Sequence, residues 1–424
     1  MPVKLTAPRG TSDVLPPESA RWSDLESRIH RLAAAFGYAE IRTPLFEATQ
    51  LFVRGVGQAS DIVEKEMYTF TDRGGRSLTL RPEWTAPVVR AVLEHDLTAS
   101  GPLRLYYIGP IFRYERPQRG RYRQSHQFGA ESFGSAGPEA DVEVIALAWE
   151  LIVRYGITDA RLRINSIGDE RCRPKYREAL LAHFRPRLAD MSADARRRAE
   201  RNPLRLLDSK DPADEAHVAA APAFEAFLCT PCREHFEAIK THLQIIGIPF
   251  SVDPRIVRGL DYYGRTVFEI TSRLLGAQSS ICGGGRYDGL VQALGGPYVP
   301  AVGFALGIER FLMVAAAAAG ATAQSRRGIQ AIALGAQART MLLPLVTELR
   351  RRLDVPVFMD YEDRKLLAHL KIADRNGARY ALILGSDEIA AGEIVLRELE
   401  HRTDRRLSFE TAKVVVQQHV EAEL

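Results

Sequence analysis

The densest chemical signal in the chain is Phe112-Arg113-Tyr114-Glu115-Arg116-Pro117-Gln118-Arg119-Gly120-Arg121-Tyr122-Arg123-Gln124. Residues 113–123 hold five Arg against one Glu. Apolar and aromatic stretches flank it (Tyr106 to Phe112, Gln127 to Phe133), and Pro117 and Gly120 place a loop between two strands. A solvated basic loop would carry the same charge. Guanidinium groups presented from paired strands also suit a polyphosphate, which needs several fixed cationic donors.

Four further segments carry candidate chemistry. In Leu80-Arg81-Pro82-Glu83-Trp84-Thr85, Pro82 biases Arg81 toward extended backbone and opens a helix, so Glu83 sits at a strand–helix junction. It is either a ligand-facing carboxylate or a Glu complementing the helix dipole. Ile256-Val257-Arg258-Gly259-Leu260-Asp261-Tyr262-Tyr263-Gly264 joins an Arg, a turn Gly and two Tyr. On a strand those two Tyr point to opposite faces, so one of them meets a given ligand. Cys282-Gly283-Gly284-Gly285-Arg286-Tyr287-Asp288-Gly289 lets backbone approach a ligand closely. It has neither the GK[ST] of a P-loop nor a GxGxxG fingerprint. Gly303-Phe304-Ala305-Leu306-Gly307-Ile308-Glu309-Arg310-Phe311 reads as a Gly-punctuated strand entering a helix, with Glu309 and Arg310 as a surface ion pair of little weight.

Of the cysteines Cys172, Cys229, Cys232 and Cys282, Cys229-Thr-Pro-Cys232 forms one CxxC. A structural zinc site takes four ligands and no second pair is evident. His235 and His242 on the following helical pattern make a site conceivable. The preferred reading is a helix-start CxxC with no metal assigned.

The elements that position these residues can also be read. Trp22, Leu25, Ile29, Leu32 and Phe36 predict an amphipathic helix over 17–37, stopped at Gly37. Runs at Ser77 to Leu80, Leu103 to Tyr114, Tyr122 to Phe128 and Arg161 to Asn165 predict strands, and Glu139 to Tyr155 a helix. Hairpin-length connections imply an antiparallel sheet. Residues ~168–248 turn Ala-, Arg- and Glu-rich with helical spacing, and strands resume at Pro249 to Val257 and Arg265 to Ile270. A helical insertion (168–248) therefore interrupts a core spanning 1–325. After Arg326-Arg327-Gly328 an alternating pattern follows: Ile329 to Leu334, Val355 to Met359 and Tyr380 to Leu384 as strands, Ala336 to Leu353 and Glu362 to Asn376 as helices. This is a separate α/β domain, 328–424.

The 424 residues hold 57 Lys plus Arg against 53 Asp plus Glu, a net charge of +4. That excludes a histone-like polycation but leaves room for a local basic face. No signal peptide is evident, and the longest apolar run, from Phe311, is too short to span a bilayer. A cytoplasmic protein with no membrane partner is expected.

Taken in this order, the segments resemble the histidyl-tRNA synthetase family of class II aminoacyl-tRNA synthetases. Glu40 to Phe70, with Arg42-Thr43-Pro44, resembles motif 1. Phe112-Arg113-Tyr114-Glu115 and its loop resemble motif 2, and Gly303 to Arg310 motif 3. Arg258-Gly-Leu-Asp-Tyr-Tyr263, Gly283-Gly-Gly-Arg-Tyr-Asp288 and Asn202-Pro-Leu-Arg-Leu-Leu-Asp208 match segments typical of that family. The resemblance implies an α+β fold: an antiparallel sheet flanked by helices, a helical insertion and a C-terminal α/β anticodon-binding domain. It implies ATP-dependent ligation of L-histidine to its tRNA through a histidyl-adenylate, with Mg2+, in a homodimer.

It also implies roles. Arg113 and Arg258 would hold the α-phosphate and the amino-acid carboxylate from opposite sides. Glu115, Arg121 and Arg310 would serve ATP. Glu83, Thr85 and Gln127 would bind the ammonium group, Glu131 and Tyr263 would read the imidazole, and Tyr262 with a turn at Gly283 to Gly285 would wall the pocket. Arg116, Gln118, Arg119 and Arg123 would face the tRNA acceptor end. Arg364, Lys365, His369, Lys371, Arg375 and Arg379 would line the RNA face of the C-terminal domain. Ser125 departs from the family pattern, which places Phe there to stack on adenine. The alternative function is a non-catalytic regulatory relative in histidine biosynthesis, which would lack the anticodon domain and some of these Arg.

Overall fold

The computed structural model describes residues 5–57, 60–118, 120–209, 211–276, 279–320 and 326–421. The chain divides into two compact units, Met1–Gly320 and Ala321–Leu424.

The first unit is organised by an eight-stranded sheet. In spatial order its strands are Ala39–Glu40, Leu103–Phe112, Gln124–Phe133, Ala301–Gly307, Ser280–Arg286, Gly264–Thr271, Arg161–Ser166 and Phe250–Val252. The inner pairings are antiparallel, and only the two outermost pairs run parallel. Alternation along the strands gives the sheet two unlike faces. Phe128, Ala130, Val302, Phe304, Leu306, Phe268 and Ile270 point to one side and form a core with four helices. Helix Glu18–Ala35 contributes Trp22, Leu25, Ile29 and Leu32 at the expected spacing. Helix Pro138–Arg154 starts with Pro at its first position and carries Glu139 and Asp141 in its first turn, where the helix dipole favours them. Each fully buried Phe or Leu here contributes about 1.5–3 kcal/mol relative to exposure.

The opposite face is lined by Gly129, Gly303, Gly307, Gly283 and Gly285, of which Gly285 and Gly303 pair directly across neighbouring strands. Leaving out side chains here makes room for groups that lie flat on the sheet. Helix Thr85–Glu94 and the segments of the insertion close over this face with Tyr107, Tyr287, Tyr176 and Phe224. A small antiparallel sheet of Phe46–Ala48, Ser77–Leu80 and Tyr68–Thr71 stands beside it.

The 168–248 region is helical, but its last helix, Thr230–Ile245, places Phe236, Ile239 and Leu243 in the main core. Its face toward the sheet is apolar, so it behaves as a wall of the core. The Gly283–Gly285 segment is strand rather than turn: each Gly has an antiparallel partner on both sides.

The second unit holds a five-stranded sheet in the order Val357–Met359, Ile329–Ala333, Tyr380–Leu384, Glu393–Glu398, Thr403–Ser408. The helix read at Glu362 begins only at Leu366. Asp360 accepts from the Glu362 amide (3.1 Å) and the Arg364 side chain (2.8 Å), which holds a turn where the helix would start.

Candidate active site

Glu131 stands at the centre of the glycine-lined face. It is 1% exposed, and its carboxylate lies where a Cβ on Gly303 would fall 2.7 Å from Glu131 Cδ. Thr85 Oγ1 (2.8 Å) and the Tyr107 hydroxyl (3.1 Å) donate to its Oε1, and the Tyr287 hydroxyl donates to Oε2. Gly129 makes room for Tyr107, since a Cβ there would meet Tyr107 Cε2 at 2.5 Å. Burial pushes Glu131 up to about 8; the bonds from Tyr287 and Thr85 pull the other way, and nearby Glu83 adds to the rise. Burial also holds the phenols of Tyr107, Tyr262 and Tyr287 well above their ordinary range, so they remain neutral donors.

Glu83 is 4% exposed. Its two carboxylate oxygens accept from the Thr85 and Ala86 amides, each at 2.7 Å. It caps helix Thr85–Glu94 and lies close enough to Glu131 to raise that group's pKa. Burial raises its pKa. Gln127 lies on the Glu131 face of its strand, with a buried Oε1 that has no partner among the described residues. Among the described residues, backbone amides, a hydroxyl and phenols hold the two acids, with no cation bonded to them. Two buried carboxylates and an unsatisfied amide oxygen make a pocket that asks for a positively charged, hydrogen-donating guest.

Tyr262 and Tyr263 precede strand Gly264–Thr271 in a turn rather than on the strand itself. Their rings are 4.6 Å apart, and both lie beside Tyr287, at 5.6 and 6.4 Å. The expectation of opposite faces fails because the turn lets both rings face the pocket.

Beyond Tyr263 the charge reverses. The Arg258 guanidinium is 5.9 Å from the Tyr263 ring, and its buried Nε has no partner among the described residues. It lies on Gly283, where a Cβ would come within 2.6 Å of Arg258 Cζ. The triple Gly thus admits an Arg of the protein. Arg258 lines a cleft of about 680 Å³ together with Arg113, Arg121 and Arg310. Arg113 is fixed by its Nε bond to Pro82 O (2.7 Å), next to Glu83. Glu115 sits 3.5 Å from Arg121 and 3.9 Å from Arg113. Arg310 lies in the first turn of helix Ile308–Ala319, where the dipole disfavours a cation and favours an anion. Burial, then nearby Arg121, lowers its pKa. Glu309 does not pair with Arg310. It accepts from the His126 amide (2.9 Å) and approaches His126 Nδ1 (2.9 Å), tying the helix to the strand that carries Ser125.

The supports come from residues with no obvious chemical signal. Asn202 and Arg205, in the insertion, bond Asp261 (3.1 Å) and Gly259 O (2.6 Å), holding the loop that carries Arg258. Arg81 is 1% exposed and donates to Pro110 O (2.8 Å) and Thr43 O (3.0 Å). It also lies over Trp84, which stacks on Tyr107 at 4.5 Å. Arg286, fully buried, is committed to Asp141 and Asp288. Tyr107 carries no chemical signal in the sequence: it sits in an ordinary apolar strand, and only its pairing with Gly129 marks it.

The basic loop divides in two. Arg116 and Gln118 are exposed, and Gln118 and Arg121 close a tight turn with Gly120 at φ +74. Arg119 lies outside the described residues. Arg123 departs from the expected placement. Its guanidinium stacks on Tyr114 at 3.8 Å and its stem packs on Gly10, so it braces the loop. In the second unit, His369 is buried beside Asp360, and Arg364 and Arg379 are paired with Asp360 and Glu398. Lys365, Lys371 and Arg375 remain exposed. The helix is thus a basic edge, because its His faces the sheet. His235, which follows the CxxC on the same helix, lies 3.3 Å from Asp141.

Comparison with known proteins gives a consistent result. The family model described as histidyl-tRNA synthetase matches residues 10–311, and one described as anticodon binding domain matches 331–419. The histidine–tRNA ligase of Desulforudis audaxviator is 50% identical over 406 residues, 96% of each chain. That of Moorella thermoacetica is 51% identical over 396 residues, 93% of each. The apo histidyl-tRNA synthetase of S. aureus superposes with a TM-score of 0.80 at 35% identity, covering 98% of this chain and 100% of that one.

Proposed function

The chain belongs to the histidyl-tRNA synthetase family, and from that premise we infer that it joins L-histidine to its tRNA at the expense of ATP. The observation that carries this reading is the change from acidic to basic side chains along one pocket. Buried Glu83 and Glu131 lie at one end, and the cleft of Arg113, Arg121, Arg258 and Arg310 at the other. A zwitterionic amino acid laid along that axis puts its ammonium and imidazole N–H groups against the acids and its carboxylate against the Arg.

In the first step a carboxylate oxygen of histidine attacks the α-phosphorus of ATP, and pyrophosphate leaves. Arg113 and Arg258 neutralise the charge that gathers on the α-phosphate, while Arg121 and Arg310 hold the departing phosphates. Glu83, Thr85 and Gln127 bind the ammonium group. Glu131 and Tyr263 read the imidazole, and Tyr262 walls the pocket. A side chain that cannot satisfy these buried partners leaves them unpaired, which gives selectivity without an editing site. In the second step a ribose hydroxyl at the tRNA 3′ end attacks the acyl carbon, and AMP leaves. If Mg2+ accompanies ATP, Glu115, the carboxylate beside Arg113 and Arg121 in the cleft, would hold it, and the ion would screen phosphate charge.

Arg116 and Gln118 face the acceptor end, and Lys365, Lys371 and Arg375 face RNA in the second unit. The small sheet exposes Phe46 (50%) and Phe70 (43%), a ring pair at 6.3 Å that a second copy would cover, so the working unit is a homodimer. No helix among the described residues is long and apolar enough to cross a membrane; action on tRNA and ATP supports a cytoplasmic reading. The regulatory alternative is disfavoured by the match over 331–419. Histidine-dependent exchange of pyrophosphate into ATP tests the reading: folded protein that fails to exchange removes it.

A further inference from the structure

The chain leaves the main sheet near Gly168 and returns at Cys229. There Asp169 and Cys172 meet Cys229 and Cys232, and one ligand atom from each of the four lies within 4.8 Å of all the others. Cys172 and Cys232 are each 1% exposed, and neither they nor Cys229 is in a disulfide. The second pair that the sequence did not reveal is an Asp-x-x-Cys, not another CxxC, 57 residues before Cys229 at its Cys172 end.

The geometry is that of a ligand shell. Tetrahedral zinc with Zn–S of about 2.3 Å spaces its sulfurs about 3.8 Å apart, so a contraction of about 1 Å at most closes this cluster. Cys172 and Cys229 are the residues that precede helices Arg173–Phe184 and Thr230–Ile245, and Cys232 lies in the first turn of the latter. Two positive helix ends therefore converge on this cluster, a field that complements the negative charge of metal-bound sulfur. The Cys229 amide donates to Cys172 Sγ at 3.1 Å, an outer-shell bond that fixes the sulfur. Arg171 holds both Asp169 oxygens, Oδ2 through its guanidinium (2.8 Å) and Oδ1 through its amide (3.0 Å), and Oδ1 faces Cys229 Sγ at 3.9 Å. Its charge offsets part of the excess negative charge that three thiolates and a carboxylate would place on a divalent ion.

We propose that Asp169, Cys172, Cys229 and Cys232 bind a structural Zn2+ that closes the root of the insertion. Thiolate donors select zinc over the hard cations, and four protein ligands leave no open position for catalysis. The site clamps both ends of a long excursion, where closure removes the most unfolded-chain entropy. It also adjoins the histidine pocket. Gly168 O accepts from the Arg265 amide (2.7 Å), and Arg173 donates to Tyr263 O. Metal therefore steadies the turn that carries Tyr262 and Tyr263.

The test is a Co2+ titration of the full-length chain, reduced and stripped with a chelator. The expected result is a thiolate-to-cobalt charge-transfer band with the intense visible bands of tetrahedral Co2+. It saturates at about one equivalent and is abolished by Zn2+. Cys172→Ser and Cys232→Ser lose it. Asp169→Cys keeps it, and Arg171→Ala weakens metal binding about tenfold or more. If the Cys variants do not fold, the wild-type titration still decides. No saturable tetrahedral spectrum, or a Cys229–Cys232 disulfide whose reduction yields no metal uptake, overturns the proposal.

Discussion

Gly283→Ala places a methyl group against a residue proposed to stabilise charge at the reacting phosphate. The added Cβ would lie 2.6 Å from Arg258 Cζ, whereas carbon atoms rest about 3.5–4.0 Å apart. The strand cannot yield, because Gly283 is paired with Glu269 on one side and Ala305 on the other. The guanidinium must therefore lift by about 1 Å. A displacement of that size at a positioned group costs about a hundredfold in rate, ~2.7 kcal/mol of transition-state stabilisation. The assay is histidine-dependent pyrophosphate exchange, with KM for histidine and kcat measured separately. The fall is expected in kcat, because Glu83 and Glu131 are untouched and histidine still binds. Overpacking costs at most about 1–3 kcal/mol of stability, which a melting curve reads independently. Arg258→Ala should abolish exchange while leaving histidine binding measurable. A kcat within about threefold of wild type would refute the reasoning.

Three other outcomes follow from the site. Glu131 is neutral in the free protein up to about pH 8 but ionised in the unfolded chain above about pH 4.5, so the native state binds more protons between those values and stability falls as pH rises. Glu131→Gln should flatten that decline in melting temperature across pH 5–8 and should weaken histidine binding; an unchanged slope would show that Glu131 is not the group responsible. Arg205→Ala frees Gly259 O and should lower exchange about tenfold, with the loss in kcat, because it acts through the Arg258 loop; a pure KM effect contradicts that route. Ser125→Phe restores a ring able to stack on adenine and should lower KM for ATP; an unchanged KM means the base is held elsewhere.

Much of the positioning machinery was legible in the sequence. Pro82, the run from Trp22 to Leu32 and the basic loop each act through local rules, so strand, helix and loop could be placed from them. What escaped depends on cross-strand register. Glu131 occupies the space left by Gly303, Tyr107 that left by Gly129, and Arg258 that left by Gly283; each pair is distant in sequence. The Gly283–Gly285 run looked like a turn because its lack of side chains is the same signal whether the space serves a bend or a neighbour. Tyr262 and Tyr263 escaped the strand alternation rule because they sit one turn early. His369 and Arg123 misled because charge type says nothing of direction: one faces the domain core, the other a Tyr ring. The Asp169–Cys232 cluster was hidden because its halves meet only after the insertion folds back.

The central claim is that one pocket binds histidine at its acidic end and activates it at its Arg-lined end. The most direct measurement is pyrophosphate exchange by the purified chain with each amino acid in turn. The account predicts exchange with L-histidine, little with any other, and none with histidine once Arg258 is replaced by Ala. Folded protein that exchanges equally with other amino acids, or not at all with histidine, contradicts it.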